Sequence, residues 1–187
     1  MDRKTIGEVF NKYKTDKGPW RHGYNYCYSK VFEDFTPTTM LEIGIFEGRS
    51  LAAWRELFPH ADIHGLDNFK REEKMVYTPE NVKIITGDSR DTPFVKSLPY
   101  TYDIIIDDGN HHPNVQWQTF LNFSDKWTKY YVIEDVCNEN NEEQLRRRLK
   151  AFGIKNITTF RSRFRGNVRI NGEMVNCSFF AVVIRRE

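Results

Sequence analysis

The chain has 187 residues, enough for one domain with a substantial core of its own. Its 28 Lys and Arg against 26 Asp and Glu leave a formal net charge of +2, too even to point to a nucleic-acid partner. Three widely spaced cysteines without a CxxC pair signal neither a disulfide framework nor a zinc ribbon, and suit a reducing compartment. The start MDRKTIGEVF is polar and no run of about 18 apolar residues occurs, so the reading is a soluble, cytoplasmic chain with no membrane insertion.

In chain order, the first 35 residues predict a helix over Thr5–Tyr13, a turn-rich stretch KTDKGPWRHGY and an aromatic helix over Tyr24–Phe35. Residues 1–35 are thus expected to form a helical cap over the strand ends. Short apolar runs then alternate with longer mixed segments. Strands are expected at Met40–Ile43, Ile63–Leu66, Val82–Ile85, Tyr102–Ile106 and Tyr131–Ile133. Helices are expected at Ser50–Leu57, Thr92–Ser97, Val115–Ser124 and Glu142–Phe152. The alternation predicts an α/β fold with a mostly parallel sheet. Past Phe152 come Ile157–Phe160 and NVRINGEMVNCSFFAVVI, whose Asn171-Gly172 pair is a hairpin signal, so the sheet should finish antiparallel. Without repeats or linkers, residues 38–187 read as the α/β core of a single domain spanning 1–187. The arginines at 161, 163, 165, 169, 185 and 186 read as solvated faces.

The stretch MLEIGIFEGRS places Glu42, Gly44 and Gly48 where the first strand turns into a helix. Glycine there admits positive φ and a close ligand. The spacing is G-x-x-x-G rather than G-x-G-x-x-G, so the fingerprint that cradles a pyrophosphate is absent and a nucleotide without a diphosphate fits better. The next strand ends in Asp67, where a carboxylate can accept both hydroxyls of a ribose. The third ends ITGDSR, bringing Asp88 and Ser89 to the same edge. Each acid alone would pass for a helix N-cap. Three in order, at strand ends where open α/β sheets bind ligands, suggest a nucleotide site.

These residues resemble class I S-adenosylmethionine-dependent methyltransferases: LEIGIFEGRS as the nucleotide loop, GLDNF as the ribose-binding strand end, TGDSRD and IIIDDG as the later motifs. The resemblance runs from Met40 to Asp135. It implies a Rossmann-like, seven-stranded sheet of order 3-2-1-4-5-7-6 with a C-terminal antiparallel hairpin, and S-adenosylmethionine as cofactor. It further implies that Gly44 and Gly48 flank the methionine part, with Glu42, Glu47 and Ser50 in the same cofactor-binding loop. Asp67 would hold the ribose, Asp88 beside Ser89 would face the adenine amine, and Asp107 would lie near the amino acid end.

The run IIIDDGNHHPNVQWQ ends its strand in Asp107, Asp108, Asn110, His111 and His112, and one strand later YYVIEDVCN delivers Glu134 and Asp135. Neighbouring strands are about 4.8 Å apart, so these carboxylates can converge, and converging anions repel unless a cation joins them. Asp108, Glu134 and Asp135 therefore read as an all-oxygen site for Mg²⁺ or Mn²⁺, with positions left for substrate oxygens. A metal that binds an alcohol lowers its pKa, and a nearby base takes the proton. His111, three residues after Asp108, is the candidate base.

DDGNH with IED is similar to the metal-dependent sugar O-methyltransferases of macrolide deoxysugars and related glycan-modifying domains, as is NKYKTDKGPWRHGY with its Y-x-T-D-K segment. The matching positions are Thr15, Asp16, Lys17, His22 and Tyr24, of which Thr15 and Lys17 are implied to help close the cofactor pocket. A sugar or glycoside acceptor with neighbouring hydroxyls follows, and Trp20, Tyr24, Tyr26 and Tyr28 offer either flat faces for its ring or ordinary cap packing. The chain is much shorter than the macrolide-modifying members and could be a domain of a larger glycan-assembly protein. Other readings are a catechol O-methyltransferase, which usually presents a lysine base where His111 stands, an NAD-linked oxidoreductase, which lacks its G-x-G here, and a noncatalytic nucleotide-binding domain, which leaves the carboxylates unexplained.

Overall fold

Runs such as MLEI and YDIIID become central strands because a parallel sheet covered on both faces buries nearly every side chain along them. The computed structural model describes residues 1–69, 75–77, 79–170 and 173–186, with backbone alone for 167–170 and 173–177. In chain order the elements are α1 (Arg3–Tyr13), α2 (Asn25–Val31), β1 (Thr39–Ile43), α3 (Arg49–Leu57), β2 (Asp62–Asp67), β3 (Val82–Thr86), α4 (Thr92–Ser97), β4 (Tyr102–Asp107), α5 (Pro113–Asn122), β5 (Trp127–Cys137), α6 (Glu139–Ala151), β6 (Asn156–Ile170) and β7 (Glu173–Arg185).

The strands form one seven-stranded sheet of order β3-β2-β1-β4-β5-β7-β6. The β1–β2, β1–β4, β2–β3 and β4–β5 pairs are parallel, and β7 runs antiparallel to β5 and β6. The expected order and antiparallel finish are thus present, while the Asn171-Gly172 turn itself lies outside the described residues. Alternation along β4 divides the core. Ile104 and Ile106 join Ile6, Phe10, Tyr28, Trp54 and Leu51 on one face, and Ile105 joins Phe120, Phe123, Trp127, Tyr131 and Leu149 on the other.

Local chemistry sets the element ends. Asp2 caps α1 by accepting from the Lys4 and Thr5 amides, and the helix stops at Lys14 in the left-handed region. Pro113 starts α5, whose first turn is capped by the His112 ring. Expected and observed elements differ mainly in length. The aromatic helix ends at Val31, and β5 reaches from Trp127 to Cys137 because β4 pairs with it at Trp127 and β7 pairs with it from Tyr130 to Cys137. Cys27 is a buried free thiol, whereas Cys137 is disulfide-bonded, a bond the odd count and spacing of cysteines did not announce. No helix among the described residues is long and apolar enough to cross a membrane.

Register positions the site. Ile43 pairs with Leu66 on one side and Asp107 on the other, and Asp107 pairs with Ile133, so β1, β2 and β4 end nearly level while β5 runs past them through Glu134 and Asp135. Strand order reverses between β1 and β4, and the crevice of such a sheet opens there.

Candidate active site

Two adjoining cavities open at that edge. The larger, about 830 Å³, is lined by residues from the cap, the β1–α3 turn and the ends of β4 and β5, including Thr15, Trp20, Glu47, Ser50, His111 and Asp135. The smaller, about 290 Å³, is lined by Asp67 and Phe69 after β2, Gly87, Asp88 and Ser89 after β3, and Asn110. Gly44, Phe46, Asp108 and Gly109 border both. Gly44 holds φ +91, and a Cβ on it would lie 2.3 Å from the Asp108 carbonyl oxygen. Its immediate role is therefore the backbone-to-backbone approach of the β1 and β4 turns. Gly48, at φ +76, heads α3.

Around the smaller cavity, Asp67 accepts from the amides of Ile45 and Phe69, both at 2.8 Å, fixing its carboxylate at the rim. Asp88 is clasped by Arg90 through Nε at 2.9 Å and Nη2 at 2.6 Å. The Ser89 hydroxyl is 3.2 Å from that of Thr119. Asp107 is buried beside this cavity rather than lining it, and burial pushes its carboxyl up to about 8.

Beneath the larger cavity is a buried charge cluster. The Lys17 ammonium, 1% exposed, contacts Asp108, stands 2.7 Å from Glu134 Oε2 and 3.4 Å from Glu42 Oε1. Burial alone would depress this amine, but Asp108, Glu134 and Glu42 together hold it well above its usual range. Burial likewise pushes Glu42 up to about 7 against the pull of Lys17, and raises Glu134 and Asp108. Tyr28 donates its hydroxyl to Glu134 Oε1, so both oxygens of that carboxylate are engaged by the cap.

Asp135 faces the other way. The register of β5 on β7 shifts between Ile133 and Val136, and Asp135 takes φ +53. Such a bulge re-aims the side chain it contains. Asp135 Oδ1 accepts from Tyr24 at 2.8 Å and lies 3.3 Å from His22 Nδ1, while Oδ2 is 4.0 Å from His111 Nε2. Asp108, His111 and Asp135 each offer an atom within 4.8 Å of the others, an arrangement able to hold a cation.

Apart from Gly48, which heads α3 and is not in the lining of either cavity, the residues named from sequence fall into three groups. Gly44, Glu47, Ser50, Thr15, Asp67, Asp88, Ser89, Asp108, His111 and Asp135 line the joined cavities. Lys17, Glu42, Asp107 and Glu134 are buried behind them, so Lys17 meets carboxylates rather than open space, and Glu134 adjoins Asp108 through the Lys17 ammonium that both contact. Of the four aromatics, Trp20 alone lines a cavity. Tyr24 and Tyr28 are buried hydrogen-bond donors, and Tyr26 packs edge-on against Phe160. Sequence reasoning missed Phe46, whose only signal was an aromatic inside a glycine turn.

Strand order, switch point and the acid-lined crevice define a class I methyltransferase fold. No family model matches the chain. It is 28% identical over 150 residues to mycinamicin VI 2''-O-methyltransferase of Micromonospora griseorubida, covering 67% of this chain and 37% of that protein. It is also 28% identical over 148 residues to 8-demethyl-8-(2-methoxy-alpha-L-rhamnosyl)-tetracenomycin-C 3'-O-methyltransferase of Streptomyces olivaceus, covering 70% and 36%. Among solved structures, the MycE methyltransferase of the mycinamycin biosynthetic pathway, in complex with Mg, SAH and mycinamycin VI, superposes with a TM-score of 0.62 at 28% identity, over 70% of this chain and 39% of that one. An S-adenosylmethionine-dependent O-methyltransferase from Thermotoga maritima shares the fold at a TM-score of 0.63 and 11% identity. The chain resembles the sugar O-methyltransferases and spans well under half the length of these curated relatives.

Proposed function

We propose that the chain is an S-adenosylmethionine-dependent O-methyltransferase that uses Mg²⁺ or Mn²⁺ to methylate a hydroxyl of a sugar or glycoside. The observation that carries the reading is the convergence of Asp108, His111 and Asp135 in the larger cavity, with Asp108 at its seam with the smaller one. The likeness to sugar O-methyltransferases supports the acceptor class. Two carboxylates fit a hard divalent ion that keeps open positions, and the imidazole beside them stays free to act as a base.

In this reading Asp108 and Asp135 hold the ion, and Asp67, Gly44, Asp88 and Ser89 hold the cofactor. When bound, S-adenosylmethionine supplies an electrophilic methyl group and the dication acidifies the acceptor hydroxyl. His111, 40% exposed at its side chain, accepts the hydroxyl proton at Nε2. Asp135, 4.0 Å away, stabilises the imidazolium that results. Glu134 anchors the cap through Lys17 and Tyr28 rather than binding the ion.

The test is methyl transfer from S-adenosylmethionine to a panel of deoxysugar glycosides, read by mass spectrometry as the gain of one CH₂, with and without EDTA. Transfer abolished by EDTA and restored by Mg²⁺ is expected. His111→Ala should lower the rate by about 10²-fold with S-adenosylhomocysteine affinity unchanged. Full turnover in EDTA would remove the ion from the mechanism.

A further inference from the structure

Phe46 occupies the middle of the GIFEG turn at φ +50, a backbone region that bulky L-residues avoid and glycine enters freely. Burial does not offset that cost, because Phe46 is 52% exposed. An exposed apolar side chain is ordinary by itself, and so is an occasional left-handed residue. Phe46 combines both, and among the described residues it is the one apolar side chain that borders both cavities.

Trp20 stands on the larger cavity in a comparable state. It is 57% exposed, yet its indole N–H donates to the Thr15 carbonyl at 3.0 Å, which fixes the ring without burying it. The same cavity is otherwise walled by polar and charged groups such as Asn11, Lys14, Asp16 and Arg49. A pyranose has hydrogen-bonding edges and apolar C–H faces, so a site for it needs a few flat apolar plates in a polar surround.

We infer that Phe46 and Trp20 are the acceptor-binding plates of this site, contacting the apolar faces of the sugar ring whose hydroxyl is presented to Asp108, His111 and Asp135. This rests on the sugar O-methylation reading and adds to it the residues that select a ring with an apolar face. The left-handed backbone at Phe46 places an apolar side chain where it borders both cavities.

The experiment titrates methyl rhamnopyranoside into the protein with S-adenosylhomocysteine and Mg²⁺ present, following binding by saturation-transfer NMR, for the unmodified chain, Phe46→Gly and Trp20→Ala. S-adenosylhomocysteine affinity and melting temperature are measured on the same samples. Each substitution should weaken glycoside binding about tenfold or more, with S-adenosylhomocysteine affinity unchanged in Trp20→Ala and reduced by a smaller factor than glycoside affinity in Phe46→Gly, because Phe46 also borders the cofactor cavity. Phe46→Gly should melt at the same or a higher temperature, since it relieves a left-handed residue without unpacking the core. Glycoside binding unaltered in both variants would overturn the inference, as would a loss confined to S-adenosylhomocysteine. If the unmodified chain bound S-adenosylhomocysteine but no glycoside of any kind, the sugar reading itself would fall.

Discussion

Glu134 and Asp135 are consecutive carboxylates with opposite fates. Glu134 is 1% exposed and bonded to Lys17 and Tyr28, while Asp135 is turned by the β5 bulge toward His111 and the cavity. Their roles separate in a paired experiment. Asp135→Asn and Asp108→Asn should each weaken Mn²⁺ binding, measured by electron paramagnetic resonance without cofactor. Glu134→Gln should leave Mn²⁺ binding nearly intact and instead lower stability, by up to about 3–5 kcal/mol as for a broken buried ion pair. Mn²⁺ affinity lost with Glu134→Gln would return that residue to the ion. The sequence made the convergence of acids legible because strand ends along one edge follow from an α/β pattern. It did not make their division legible, because nothing in VIEDVC marks the register shift that aims one acid outward. Lys17 was legible only through the resemblance, as a residue closing the cofactor pocket; its three carboxylate partners are tertiary facts that a turn-rich stretch does not announce.

At the scale of elements, the GIFEG turn and β2 each carry a testable strain or charge. Gly44→Ala would force a Cβ against the Asp108 backbone at φ +91, and should cost about 1–3 kcal/mol or more, read as a lower urea midpoint at unchanged slope. Wild-type stability would mean that the two turns have room to part. On β2, burial holds His64 below its ordinary 6.5, against the opposing pull of Asp62, and its Nδ1 lies 2.8 Å from the Tyr102 hydroxyl. Between that lowered value and 6.5 the unfolded chain binds a proton that the folded chain does not. Stability therefore falls as pH drops through this window and levels off once the folded imidazole is charged. His64→Gln should flatten that part of a melting-temperature profile; an unaltered slope would assign it to other groups. The central strands were legible element by element, since MLEI, DIHGLD and YDIIID are short apolar runs between turn signals. The outer reach of β5 was not, because TKY is polar and the pairing of Trp127 with β4 and of Tyr130 with β7 is a tertiary fact.

At the scale of the molecule, the cap is part of the site rather than a cover for it. Lys17, His22, Tyr24 and Tyr28 all precede the first strand, and between them they engage Glu42, Asp108, Glu134 and Asp135. Deleting residues through the end of α2 at Val31 should strand buried carboxylates and apolar surface together, so the remaining chain is expected to lack a cooperative thermal transition by circular dichroism. A sharp melt from that truncation would show the α/β core to be self-sufficient. The arrangement also fixes an order of events in synthesis. Lys17 meets Glu42, then Asp108, then Glu134 across 117 positions of sequence, so its set of counter-ions is complete only once β5 has been made. The cap therefore closes late, and a chain interrupted before β5 leaves Lys17 short of one of its three carboxylates.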